Sequence, residues 1–335
     1  MPTIKPGLII TADDYGLHPN INRGIIAAVR SGIVSSVHVM ANLVTKDEVK
    51  ELQDAIHESG DVCGIGLHLN TTWGGAIIQK SATFKHSWDH DTTNPEDDFY
   101  SYRDLNTYAH NKTNFDEIKK EMVEQFVTLA GMVGGGKNID AISSHYNIHF
   151  WDSNFLNIIY YIADAQKIPV RSPIRIDGDL REPKVNKYQN IAEQLLESAI
   201  RTVAKGLNGG TGQLMLTATK KKKLLEFYNL LTENWKLPSP RNMCGYWFGQ
   251  PDWKVMEWYM KELNRLNTLA PGYNSELFMH LSDSPDGNDH RWDYSMQKRH
   301  KEFQVINSID FAQKFNKWKT DMGINHGSYR KILQA

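Results

Sequence analysis

Two adjacent acids, Asp13 and Asp14, follow the apolar run GLIITA and precede Tyr15-Gly16. Carboxylates just past an apolar strand line the ligand crevice of α/β folds. Neighbouring strand residues point to opposite sides, so the pair can take different jobs once the chain bends at Gly16. A turn with an aspartate capping the next helix explains the same dipeptide. His68 stands between two leucines in IGLHLN, where a lone histidine is more often a hydrogen-bonded core residue than a ligand. Asn70, two residues on, should share its face. SSHYNIHF, residues 143–150, brings His145, Asn147 and His149 to one side if it is extended. Two imidazoles and an amide on one strand end are hard to explain as packing. Together the segments offer a carboxylate and two imidazoles at three strand ends. That is the donor set of an open catalytic metal centre, with positions left for water and substrate.

Other residues could complete such a site. His280, in SELFMHLSD, lies at a late strand end; it suits a general acid, or a histidine paired to a backbone carbonyl. Arg171, in VRSP, can orient a carboxylate by a bidentate pair, or be an ordinary surface arginine. Trp73, Tyr146 and Trp88 can stack on sugar rings, or be core and loop aromatics. His86 and His90 have metal-like spacing but no helical frame. The glycines at 134–136 lack the Lys-Ser/Thr of a phosphate loop. No G-x-S-x-G elbow is present to support a serine mechanism.

The elements that must hold these residues alternate. Apolar runs at 7–11, 36–40, 62–69 and 139–144 predict buried strands. Helical spacing covers 21–29, 46–57, 115–133 and 154–165, and shorter strands are expected at 169–172, 213–216 and 277–281. Strand–helix alternation argues for a parallel sheet, and this many units for a barrel. The chain, of 335 residues, is read as one domain with an inserted loop at 73–114 and an elaborated region at 186–258. A connection as long as the first is expected to be functional or mobile; it follows the third strand, over the face where barrel active sites lie. The lysine run at 220–223 reads as a solvated helix start or loop.

A net charge of -1 gives no electrostatic reason to expect nucleic acid or anionic membrane as partner. A neutral polar substrate fits better. Two cysteines, Cys63 and Cys244, cannot make a disulfide framework, which predicts reduced thiols. No segment approaches the roughly 20 apolar residues of a membrane span, and no signal-like start is present, so a cytoplasmic location is expected. A homodimer is allowed for.

ADDYGLHPNINRGI, GIGLHLNTTWG, SSHYNIH and ELFMH resemble, in order, the motifs of the YdjC-like carbohydrate deacetylases. KRHKEFQVINS resembles that family's closing R-x-x-E segment. The resemblance implies an α/β fold, a TIM-like (β/α) barrel that need not be complete, with about seven strands and elaborated loops. It also implies one divalent metal and hydrolysis of N-acetyl groups on a sugar or oligosaccharide. By position it makes Asp14, His68 and His145 the ligands and Asp13 the general base. His280 is the candidate acid, Arg171 an orienting residue, and Trp73, Tyr146, Asn147 and His149 candidate sugar contacts. Three positions depart from the family pattern: Asn147 replaces the middle histidine of S-H-x-H-x-H, His18 a Ser/Thr, and Leu281 the proline after the late histidine. Softness of the donor set suits Zn2+, whereas the family is usually described with Mg2+. A metal phosphoesterase, or a sugar-binding protein that keeps the fold without catalysis, are the alternatives.

Overall fold

The computed structural model describes residues 6–71, 73–78, 112–150, 153–171, 239–240, 242–245, 255–266, 274–286 and 293–334. The apolar run at the start becomes β1 (Gly7–Tyr15), buried at every position, as a strand covered on both faces must be. α1 (Pro19–Arg30) starts on a proline, and the His18 side chain caps it by accepting from the Asn20 amide. β2 (Ser36–Val39) and α2 (Lys46–Glu58) follow, the helix opened by a Thr45–Glu48 capping box. Then come β3 (Gly64–Leu69), α3 (Lys112–Met132), β4 (Ile139–Ser144) and α4 (Ser153–Gln166). The later half contributes β5 (Asn242–Gly245), α5 (Val255–Leu266), β6 (Asn274–Met279) and α6 (Asp293–Ile306). It closes with α7 (Ile309–Asp321), β7 (Asn325–His326) and α8 (Tyr329–Leu333).

The strands form one sheet in the order β4-β3-β2-β1-β6-β5, with β7 added beside the start of β1. Every pairing is parallel, and Val170 extends the sheet past β4 by a single bridge to Ile142. The sheet curves as an incomplete α/β barrel with helices around it. Because all strands run the same way, their carboxyl ends share one rim. That rim collects Asp13 and Asp14 from β1, His68 from β3, His145 after β4 and His280 after β6.

Several elements differ from expectation. The strand expected at 169–172 is reduced to the Val170 bridge. β6 starts at Asn274 instead of 277, and α3 at Lys112 instead of 115. β5 and β7 carry no apolar run that would have marked them. The strand expected at 213–216 lies outside the described residues, as do His86, Trp88 and His90. Among the described residues no helix is long and apolar enough to cross a membrane. Cys63 is a buried free thiol, held well above its ordinary pKa by burial and by the nearby Asp140 charge.

α1 also braces the loop behind β6. Asn20 O accepts from the Asp283 amide at 3.0 Å, and Asn20 Nδ2 donates to Asp286 O at 2.6 Å. Arg23 pairs with the Asp283 carboxylate at 2.6 Å. Gly24 lets the two backbones touch: a Cβ there would stand 2.8 Å from Asp283 N and 2.9 Å from Ser282 Cα. Gly24→Ala should therefore destabilise the fold by about 1–3 kcal/mol, the usual cost of overpacking. Gly131, in α3, has nothing within 4 Å of that position, so Gly131→Ala should be neutral or stabilising. Paired urea melts check this; equal midpoints for the two variants would show that the 282–283 loop gives way freely.

Candidate metal centre

The site begins with a break in β1. Asp14 has φ 72°, and the pairing with β2 slips between Ala12 and Tyr15. Aspartate is among the few side chains that enter this left-handed region readily. The rotation sends two consecutive carboxylates to different neighbours. Asp14 Oδ1 lies 3.1 Å from His68 Nε2 and 2.9 Å from His145 Nδ1. One donor atom from each of the three residues falls within 4.8 Å of the other two. All three side chains are buried.

The neighbouring groups aim these donors. Ser143 Oγ contacts His68 Nδ1 at 2.7 Å and also His38 Nδ1. The first contact occupies one ring nitrogen of His68 and leaves Nε2 for the centre, the usual outer support of a ligating histidine. The His38 ring fits only because position 66 is glycine: a Cβ at Gly66 would collide with it. Arg299 Nη2, from α6, donates to Asp14 Oδ2 at 2.7 Å. Asp14 thus offers one oxygen to the histidines and the other to a cation.

Asp13 faces the opposite way. Arg171 Nη1 and Nη2 donate to its two oxygens at 2.7 and 2.8 Å, a bidentate pair. Arg171 is itself fully buried, and its Nε and Nη2 also donate to Glu276 Oε1, at 2.9 and 2.6 Å. His38 Nδ1 lies 3.3 Å from Asp13 Oδ1.

The charge states follow from these contacts. Burial alone would raise the pKa of Asp14, but His145, Arg299 and the hydrogen bonds of both histidines hold it well below the carboxylate range. Burial likewise works against Asp13, and Arg171, His68 and His38 outweigh it. Burial lowers His145 more than Asp14 raises it, so the ring is neutral at pH 7. An ionised carboxylate beside neutral imidazole is the state in which such residues accept a metal. The buried Asp/His cluster can bind a divalent ion, and the donors fit one.

Other candidates are placed as follows. His280 Nε2 lies 3.9 Å from Asp14 Oδ2; burial, then Arg299, lower its pKa to about 4. Asn147 is half-buried and accepts from Arg171 Nη1 at 3.4 Å. The Trp73 backbone is fastened to the amides of Asn70 and Asn42, with its indole half-buried. The Tyr146 side chain lies outside the described residues. The extended reading of SSHYNIHF needs correction: His145–Phe150 is a 3-10 segment in which Asn147 has φ 51°. At about three residues per turn, alternate positions no longer share a face. His149 instead turns inward, fully buried, with Nδ1 on Ser144 Oγ.

Three neighbours escaped the sequence reading: His38, Ser143 and Glu276. Glu276 left a signal: Glu276, Phe278 and His280 alternate along β6, and alternate strand residues share a face. Arg299 and Glu302 are the arginine and glutamate of the R-x-x-E segment, which the sequence singled out without a role; three apart on one helix, they are neighbours. Glu302 accepts from the His280 amide at 3.2 Å and from the Tyr259 hydroxyl.

Fold and centre together define an α/β barrel protein with a buried carboxylate–imidazole cluster at the carboxyl rim of its strands. Residues 7–317 match the family model described as YdjC-like protein, and the chain belongs to that family. It is 27% identical over 172 residues to a carbohydrate deacetylase of Oceanobacillus iheyensis, covering 48% of this chain and 63% of that protein. A carbohydrate deacetylase of Vibrio vulnificus CMCP6 is 30% identical over 166 residues, covering 49% and 58%. The chain thus spans about three fifths of the length of these curated relatives. A crystal structure from Enterococcus faecalis V583, provisionally assigned to cellobiose-phosphate cleavage, superposes with a TM-score of 0.63 at 17% identity. It covers 98% of this chain and 99% of its own, and it shows the shared fold.

Two predictions arise here. Asp14→Asn should weaken divalent-metal binding, whereas Asp13→Asn should leave it near wild type; calorimetric titration with Zn2+ and Mg2+ reads the difference, and the reverse order would exchange the two roles. The second concerns Glu302, which burial raises to about 8 from 4.5. Its folded pKa lies above the unfolded value, so its contribution to stability is fully present below about 4.5 and is lost as pH rises to about 8. Glu302→Gln should remove that loss, narrowing the fall in unfolding free energy across this window by roughly a few kcal/mol. Parallel slopes in wild type and variant would mean that Glu302 is ionised throughout.

Proposed function

We propose that this protein removes N-acetyl groups from acetylated sugars, chitooligosaccharides or other N-acetylglucosamine-containing substrates, by hydrolysis with one divalent ion. The observation that carries the reading is the placement of Asp14 Oδ1 between His68 Nε2 and His145 Nδ1. Membership of the YdjC-like family, and relatives named carbohydrate deacetylases, support it.

Asp14, His68 and His145 would hold the ion. Two imidazoles favour Zn2+, while the carboxylate and open positions also admit Mg2+. When bound, such an ion polarises the acetyl carbonyl and acidifies a water. Asp13 takes the proton of the attacking water. Arg171 keeps its carboxylate ionised and oriented, and Glu276 draws on the same guanidinium from the other side, which limits how far Asp13 loses basicity. The amine cannot depart as an anion, so a proton must reach the nitrogen, and His280 Nε2 is the group to deliver it. Burial and Arg299 keep His280 neutral at rest; it takes up the proton that Asp13 removes from the water as negative charge builds on the substrate, and passes it to the leaving amine. Trp73 and Asn147 are described candidates for sugar contact, with Tyr146 next to Asn147 in sequence.

A phosphoesterase with two ions would want both acids as ligands. Asp13, His38 and His68 do lie close enough to hold an ion, but the Arg171 guanidinium sits on both Asp13 oxygens, and its positive charge disfavours a second cation there. The test is acetate release from an acetylated chitooligosaccharide with Zn2+ or Mg2+ added, beside an aryl phosphate control. Chelation should abolish turnover, and His280→Ala should lower it by about 10²–10⁴-fold, the usual share of one general acid. Phosphate release without acetate release would overturn the proposal.

A further inference from the structure

The C-terminal segment lies outside the residues matched by the family model, which end at 317, yet it plugs the lower end of the barrel. β7 pairs with Gly7 and Leu8, the first residues of β1. The amides of Tyr329 and Arg330 donate to the two oxygens of Asp140, in β4, each at 2.9 Å. Arg330 Nη2 donates to Ile139 O at 2.9 Å. Tyr329 and Ile332 form a small core with Ile9 of β1 and Ala141 of β4. These contacts fix the helix by its backbone, so the side chain of its first residue is aimed inward and upward.

Tyr329 is fully buried, with its ring centroid 5.7 Å from that of His38. The charges bearing on its hydroxyl are those of Glu276, Arg171 and Asp13; burial and Glu276 hold the phenol well above its usual pKa, so it remains a donor. Glu276 spends Oε1 on both Arg171 contacts. Its Oε2 is buried without a hydrogen-bond partner among the described residues, as is the Tyr329 hydroxyl. The Glu276 side chain acts on the Tyr329 phenol both as a charge and as a hydrogen-bond acceptor, so this buried carboxylate oxygen and this buried donor are neighbours. Either group left unsatisfied is costly, which favours their association.

We propose that Tyr329 is a positioning residue: it holds Glu276, and through Glu276 sets the orientation in which Arg171 grips Asp13. Tyr329 touches no reacting atom. Its influence passes along a buried line from the C-terminal plug through Glu276 and Arg171 to Asp13. This inference rests on the proposed deacetylation only for its kinetic arm.

Tyr329→Phe keeps the ring and removes the hydroxyl. It should lower kcat by about tenfold or more, within the ~10²-fold that a misplacement of about 1 Å can cost. The melting temperature should fall modestly, since Glu276 Oε2 then lacks its donor, while KM and Zn2+ affinity should stay near wild type, a split between kcat and KM that a purely structural role would not produce. The double-mutant cycle with Glu276→Gln decides whether the effect runs through Glu276. In the Glu276→Gln background, Tyr329→Phe should add nothing; full multiplication of the two effects would overturn the proposal. A crystal structure of Tyr329→Phe supplies an arm independent of any substrate. Arg171 should lose its two-point grip on Asp13, and an unchanged grip would overturn the proposal even if wild type proved inactive on every acetylated sugar. If Tyr329→Phe did not fold, the same structural comparison on Glu276→Gln would decide: unchanged Arg171 geometry there would break the line.

Discussion

A guanidinium shut away from water has to be neutralised where it stands, and Arg171 is fully buried. Its desolvation is offset by Asp13 and Glu276, on neighbouring strands, whose carboxylate oxygens accept four contacts from it. Removing one partner from such a buried group typically costs about 3–5 kcal/mol. The geometry of the site depends on this constraint. β1 and β6 must keep their register for the two acids to meet one arginine. The chain leaving the β4 edge must then deliver that arginine between them, which the Val170 bridge does one residue earlier.

Asp14 is governed by the same need through a different cation. Arg299 satisfies one of its oxygens and thereby restricts the other to the two histidines. Each acid of the pair thus has its own arginine, one from the end of a strand edge and one from a late helix. The φ of 72° at Asp14 is what separates them. Without that local twist both carboxylates could not reach buried, oppositely placed partners from adjacent positions.

Much of this was legible in the sequence where a residue type was unusual for its surroundings. Acids closing an apolar strand, a histidine between leucines and a strand end rich in imidazole all drew attention to the rim, and the structure brings Asp13, Asp14, His68, His145, Arg171 and His280 together there. Parallel strands and crossover helices followed from apolar runs alternating with helical spacing. What stayed hidden has specific physical reasons. The inward turn of His149 depends on a 3-10 segment that periodicity does not encode. β7 is two residues long and apolar in neither, so no run marked it. Glu276 looks like a surface acid until its buried partner is known, since sequence carries no sign of a distant arginine; the R-x-x-E segment marked Glu302 but not its tyrosine partner. Gly66 reads as a spacer, although its missing side chain is what admits the His38 ring.

β1 precedes the other described strands in sequence and depends on late ones. It lies between β2 and β6, and its opening residues also pair with β7. Asp13 meets Glu276 through Arg171, and the Gly7–Asn325 pairing joins residues far apart in sequence. Contacts of such long sequence separation form late and slowly. During synthesis the strand bearing both acids therefore emerges with one edge open and its counter-cations not yet made. The rim can assemble only after the ribosome has released Glu276 and Arg299. A nascent or prematurely ended chain would hold two uncompensated carboxylates on an apolar strand, a species inclined to remain unfolded and to be recognised by chaperones and proteases.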